Sequence, residues 1–359
     1  MKEFSCETKI IMGDGAIAAL KRWNFQRLLV VSDPFFSKNG WAQRLGEQAQ
    51  SYEIFDKIAP DPSVALVAEG TVQVQQFQPD GMVALGGGSA MDCAKAMVYF
   101  SGLDIPLIAV PTTSGSGSEV TDFAILTHDG VKHPLVDEKM RPRMAVLDAD
   151  LLGSMPEGLI ADSGFDILAH ALESWVGKNA NPMTDALALE SFCTAFSLLG
   201  ASFAGEKGVR LDVHIASTMA GLAFTHAGLG LCHALSHSLG GQFHVPHGRL
   251  NAILLPAVIS TNAPAVSAKY ARIARAAGFG GAADTVAVRN LKNGLIRLRK
   301  ELDMPSTLAQ AGLDPREVWR AAGEIVRATL SDPCCGTNPV QVEDFTVRRA
   351  LEEVTGRVG

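Results

Sequence analysis

The chain has few cysteines, few tryptophans and tyrosines, little charge and no long apolar run. Its six cysteines are too sparse for a disulfide framework in 359 residues, and none forms the C-x-x-C pair of structural zinc or thiol exchange. Reduced thiols are expected. Cys232 reads as a small buried residue, and the adjacent Cys334-Cys335 as either a reactive pair or ordinary loop residues. Charged residues make up 19% of the chain with a net charge of -7, which argues against a nucleic-acid partner. No unbroken apolar stretch reaches the roughly 18 residues that span a bilayer, and MKEFSCETKI lacks the apolar core of a signal peptide. A cytoplasmic protein without a membrane partner is expected.

Hydrophobic residues make up 47% of the chain, enough for sizeable cores, and the length favours two domains over one. The first part alternates short β-branched runs with helical patterns: RLLVVSD, WAQRLGEQAQ, YEIFD, VALVAEGTVQVQQF, MVALGGG and PLIAVPTT. Strand, helix, strand in repetition predicts an α/β domain with a parallel sheet, set here at residues 1–155. From GLIADSGFDILAHALESWV onward, apolar residues recur at three and four spacing and convincing strands are absent. This predicts an all-helical domain over residues 156–359, with the boundary between Leu152 and Pro156.

Two glycine-rich stretches stand out in the first part. Gly86-Gly87-Gly88-Ser89 follows a buried-strand signal and precedes a helical one. Glycines allow a sharp turn and close backbone approach, Ser89 is expected to cap the helix, and the free N–H groups of a helix start favour a pyrophosphate. A purely structural turn is the alternative. PTTSGSGSEVT follows the strand LIAV and offers further donors; loops after parallel strands gather at one edge of the sheet. Asp33 ends RLLVVSD, where a carboxylate accepts from a ribose 2'-hydroxyl and repels a 2'-phosphate, or else merely turns the chain before Pro34.

The second part concentrates histidine. Asp166 and His170 lie four apart in a helical pattern, as do His233 and His237, and a turn at Pro246 then brings in His244 and His247. One carboxylate and several imidazoles suit Fe(II) or Zn(II) with room for an exogenous oxygen. A buried, hydrogen-bonded Asp–His pair is the plainer account of Asp166 and His170.

GGGSAMDCAK, PTTSGSGSEVT, DILAHALE and GLCHALSHSLGGQFHVPHG together resemble, in order and over essentially the full chain, the signatures of the iron-containing (group III) alcohol dehydrogenases. The resemblance implies the dehydroquinate synthase-like fold, with metal ligands Asp166, His170, His233 and His247. It also implies NAD(H) contacts at Gly87, Gly88, Ser89, Asp92, Thr112, Thr113, Ser118 and Lys132, beside Asp33. His237 matches a non-ligating histidine that moves a proton or positions the cofactor, and Phe224 and Leu229 match the substrate pocket. His244 falls where members vary and is taken as a pocket residue or one that supports the ligands from behind; Ser116 stands where many have Thr. The implied activity is NADH-dependent reduction of short aldehydes and its reverse, in a homodimer or larger homo-oligomer. GGGSAMD and HALSHSLGGQFHVPHG are most like a subgroup that works in bacterial microcompartments. Polyol dehydrogenases and lyases of the same fold use a carboxylate and two histidines, so His170 favours the alcohol dehydrogenase branch; a nucleotide- or metal-binding regulator is the non-enzyme alternative.

Overall fold

The computed structural model describes residues 3–128 and 131–356. The chain divides into two compact units, Ser5–Met155 and the residues from Pro156 onward, the latter with Glu3 and Phe4.

In the first unit the strands are β1 (Lys9–Met12), β2 (Arg27–Ser32), β3 (Ser51–Phe55), β4 (Gly81–Gly86), β5 (Leu107–Pro111), β6 (Phe123–His128), β7 (Val131–Val136) and β8 (Met144–Leu147). Among the described residues, six of them form a sheet in the order β1-β8-β5-β4-β2-β3, every neighbouring pair parallel. The helices between them are α1 (Pro34–Lys38), α2 (Trp41–Gly46), α3 (Val64–Phe77) and α4 (Gly88–Ser101). The period of two in each strand explains the layering. Leu29 and Val31 of β2 join Val67, Val74, Met91 and Met97 of α3 and α4 in one core, while Leu28 and Val30 join Phe36, Ala42 and Leu45 of α1 and α2 in the other. β3 lies on one side of β2 and β4 on the other, so the order switches between β2 and β4. In open α/β sheets the ends of such strands are where ligands bind. The antiparallel β6–β7 hairpin was not expected from the sequence.

The second unit is helical: α5 (Glu157–Val176), α6 (Pro182–Phe203), α7 (Arg210–Ala227), α8 (Leu231–Phe243), α9 (His247–Ala276), α10 (Asp284–Glu301), α11 (Pro315–Ser331), α12 (Cys334–Thr337) and α13 (Asp344–Thr355). α5 is its centre, with every residue from Phe165 to Val176 buried, as expected of a helix apolar on nearly all sides. α6 and α9 are long and apolar enough to cross a membrane by length and composition, although Asp185 and Glu190 interrupt the apolar run of α6. α9 carries Pro256 and Pro264 and is kinked at Val266, where proline removes a helical hydrogen bond and crowds the preceding turn.

Candidate metal centre and nucleotide turn

Asp166, His170 and Glu173 occupy one face of α5 because positions four and three apart align on a helix. α8 presents His233 and α9 begins at His247. Around Asp166 Oδ1 lie His233 Nε2 and His247 Nε2, both at 3.5 Å, and His170 Nε2 at 3.7 Å. These distances are too long for N–H···O hydrogen bonds, which removes the plain Asp–His pair. They are close to the spacing, about 3.4 Å, that two metal–ligand bonds of about 2.1 Å span at a tetrahedral angle. Asp166, His233 and His247 each bring one ligand atom within 4.8 Å of the others, a carboxylate oxygen and two imidazole nitrogens that fit a divalent first-row metal, and His170 approaches the same carboxylate oxygen from α5.

Two residues not singled out from the sequence complete the centre. Glu173 accepts from His233 Nδ1 at 2.7 Å, and also from the backbone N–H groups of Gly230 and Cys232, 2.9 and 2.6 Å away. α8 has no cap from its own N-cap residue, Gly230, so Glu173 of α5 both caps the helix and fixes the His233 ring with Nδ1 on its carboxylate and Nε2 turned toward Asp166. Asn251 donates through Nδ2 to Asp166 Oδ1 at 2.7 Å and lies 3.2 Å from His247 Nε2; its Oδ1 accepts from Ser236 Oγ and from the Cys232 thiol. Cys232 is buried and acts as a packed donor.

The electrostatics follow from burial and crowding. Burial alone would raise the Asp166 carboxyl, but His170, His247 and His233 outweigh it and hold it well below the usual range. Burial likewise opposes charge on His233, yet Asp166 and Glu173 push it up to about 9. Burial presses His247 well below its ordinary value, and against the pull of Asp166 the charges of His237, His233 and His170 add to that depression. The cluster thus favours a proton on His233 and resists one on His247, and a divalent cation would take the place of the His233 Nε2 proton.

Phe224 stacks on His170 with ring centroids 4.4 Å apart. His237 stacks on His247 at 5.2 Å and bonds through Nδ1 to Asp332 Oδ2 at 2.8 Å. His237 holds Asp332 down to about 2, against the effect of burial, helped by the Cys334 N–H. Leu229 lies in the short link between α7 and α8, its carbonyl accepting from Thr337. His244 is exposed and ends α8 in the left-handed conformation at φ 56°.

In the first unit the glycine turn sits at the end of β4. Gly86 has φ 154°, and a Cβ there would strike Ala90. Thr113 and Ser116 close over the next two residues, 3.1 and 3.3 Å from where Cβ atoms of Gly87 and Gly88 would lie, so a side chain at either position would have to displace them by a few tenths of an ångström. Ser89 does not cap α4 as expected. The cap is Gly87, which offers no side-chain bond, and the first-turn N–H groups thereby remain available to an anion. Asp33 has the turn role: Oδ1 caps α1 through Phe35 and Phe36 N–H, while Oδ2 lies toward Gly86. Thr112 extends the ladder by bonding to Gly86 O.

The remaining expected contacts are tied into the frame. Ser118 Oγ donates to Asp92 Oδ1 at 2.8 Å, and Asp92 Oδ2 accepts from Ile125 N. Lys95, overlooked in GGGSAMDCAK, is fully buried and reaches Ser118, Thr121 and the Phe123 carbonyl within 2.9 Å. Burial lowers its ammonium to about 8 against the pull of Asp92, Glu119 and Asp122. Lys132 pairs with Asp61 at 2.7 Å.

Residues 7–149 match the iron-containing alcohol dehydrogenase family, and residues 160–355 match the C-terminal region of the Fe-containing alcohol dehydrogenase family. The chain belongs to the iron-containing alcohol dehydrogenases. It is 40% identical to the 1-propanol dehydrogenase PduQ of Salmonella typhimurium, over 99% of this chain and 100% of that protein. Among solved structures, the iron-containing alcohol dehydrogenase of Thermococcus thioreducens matches with a TM-score of 0.92 at 31% identity, over 98% of this chain and 99% of that one. Sulfoacetaldehyde reductase from Bifidobacterium kashiwanohense, in complex with NAD+, matches with a TM-score of 0.89 at 26% identity, over 99% and 98%. As an iron-containing alcohol dehydrogenase the chain is an oxidoreductase that interconverts alcohols and aldehydes with iron and NAD(H).

Proposed function

We propose that the enzyme is an NADH-dependent reductase of short, unbranched aldehydes, propionaldehyde to 1-propanol foremost, and that it also runs the reverse oxidation. The observation that carries this reading is the convergence of three imidazoles on Asp166 at metal-ligand rather than hydrogen-bond spacing; the full-length likeness to a 1-propanol dehydrogenase supports the substrate.

Asp166, His170, His233 and His247 would hold iron, or zinc in its place, and the turn Gly87-Gly88-Ser89 with Thr112 and Thr113 the pyrophosphate of NAD(H). Asp92 and Ser118, bonded to each other, would brace the neighbouring loop, and Lys132 would add a further nucleotide contact. When bound, the metal supplies Lewis-acid polarisation of the substrate oxygen and the nicotinamide supplies the hydride. Glu173 keeps the His233 lone pair directed at the site. His237, its Nδ1 proton donated to Asp332, holds or accepts the exchangeable proton at Nε2. Phe224, against His170, excludes water and with Leu229 gives an apolar wall. Such a wall offers no partner to a second substrate hydroxyl, whose unpaired burial costs about 1–3 kcal/mol, or about one to two decades of discrimination.

Steady-state kinetics with propionaldehyde, butyraldehyde, lactaldehyde and dihydroxyacetone test the substrate: the simple aldehydes should give the higher kcat/KM, and a higher value for either hydroxylated compound refutes the assignment. Preference for NAD(H) over NADP(H) rests on the Asp33 carboxylate beside the glycine turn. Asp33→Gly should narrow that preference, and equal kcat/KM with both cofactors in the unmodified enzyme would contradict it. The likeness of HALSHSLGGQFHVPHG to the microcompartment subgroup supports a homo-oligomer housed in a bacterial microcompartment.

A further inference from the structure

Beside the centre just described lies a second cluster of donors that the reaction does not use as a set. His237, Asp332 and Cys334 each bring one potential ligand atom within 4.8 Å of the others. Two local features assemble them. Pro333 holds the backbone between Asp332 and Cys334 at φ -55°, and the Cys334 N–H donates to Asp332 Oδ1 at 2.8 Å, folding the turn so that carboxylate and thiol lie together. α8 supplies His237, whose Nδ1 reaches the other oxygen of Asp332. The neighbouring Cys335 is committed elsewhere, its thiol donating to the Thr329 carbonyl at 3.0 Å. All three members of the cluster are half-buried rather than sealed, so an ion can enter from solvent.

We propose that His237, Asp332 and Cys334 form a second, weaker divalent-metal site of borderline-soft character. The donor types decide the class of ion. Imidazole nitrogen, carboxylate oxygen and thiolate sulfur together suit Zn(II) or Co(II), whereas the all-nitrogen-and-oxygen set at Asp166 is equally open to Fe(II). On binding, Cys334 releases its thiol proton to solvent, the Nδ1 proton of His237 passes through water to Nε2, and the His237–Asp332 hydrogen bond gives way to two metal bonds; three protein ligands leave further positions for water. The existing bond must be broken and a proton lost, so this site fills after the first. Occupation takes His237 away from the proton it handles, so excess zinc inhibits; that consequence rests on the role proposed for His237, whereas the binding does not.

Sulfur distinguishes the two sites. Titrating the metal-free, full-length enzyme anaerobically with Co(II) should give only weak visible bands for the first equivalent and a near-ultraviolet thiolate-to-cobalt charge-transfer band with the second. Cys334→Ser should abolish that band and keep the first-equivalent bands, while Cys335→Ser and Cys6→Ser keep both. Zinc X-ray absorption of the unmodified enzyme at two equivalents supplies an arm that needs no variant, with a sulfur scatterer expected at about 2.3 Å. Absence of any charge-transfer band and of the sulfur scatterer, or a band that survives Cys334→Ser, overturns the site. A charge-transfer band without loss of activity leaves the site standing and overturns the proposed role of His237 instead.

Discussion

Glu173 shows how one carboxylate on a buried helix acts on a ligand it does not replace. Its bond to His233 Nδ1 and its cap on α8 are made by the same two oxygens, so Glu173→Gln should loosen both ring and helix start. Metal affinity measured by competition with a chelator should fall about 10–100-fold, and an unchanged affinity would show that His233 is oriented by packing alone. Asp332 stands in the same relation to His237. Asp332→Asn should lower kcat while leaving metal content and KM near their original values, and it should cost nothing further in a His237→Ala background, since residues that act as a unit are not additive. Much of this was legible residue by residue: four-residue spacing placed Asp166 with His170 and His233 with His237. Glu173 was one more step along the same face, but its partner is on another helix. Asn251 and Asp332 lie 85 and 95 positions from the residues they bond, and no local pattern carries such a pairing.

At the scale of elements, the sequence conveyed periodicity well and terminal chemistry poorly. VALVAEGTVQVQQF became α3 residue for residue, and the change from two-residue to three-and-four-residue periods marked the passage from sheet to helices. Ser89 failed as a cap because the sharp turn at Gly86 starts α4 two residues earlier than a serine cap requires. The β6–β7 hairpin was missed because its strands sit between two recognised motifs and mix apolar with polar residues, although Asp129-Gly130, outside the described residues, is a hairpin signal in the sequence. α9 shows an element whose start is set by close contact. Gly248, its second residue, packs against α5, where a Cβ would overlap the Asp162 carbonyl, a backbone atom that cannot rotate away. Gly248→Ala should therefore push the start of α9 off α5, lowering stability by about 1–3 kcal/mol and carrying His247 away from Asp166. A fall in both thermal midpoint and iron content checks this; a fall in the midpoint with full iron content would show that His247 is held independently of its helix.

For the whole molecule, the two units contribute different chemistry: a parallel sheet whose switch point carries the glycine turn and Asp33, and a helical unit whose central helix carries Asp166 and His170. The fold class was legible because alternation of strand and helix leaves few architectures, and the activity because short motifs in a fixed order accompany it. What the sequence could not give was the long-range satisfaction of charge, in which buried Lys95 and Asp92 lock one loop and Glu173 and Asp332 set two imidazoles. The central claim is that turnover needs one iron held by Asp166, His170, His233 and His247. The most direct test is the rate of NADH oxidation by propionaldehyde as iron is added anaerobically to the metal-free enzyme. The rate should rise in proportion to iron, level off at about one iron per chain, and stay near background in His233→Ala at the same loading; full turnover in the metal-free protein, or an undiminished rate in His233→Ala, would contradict the account.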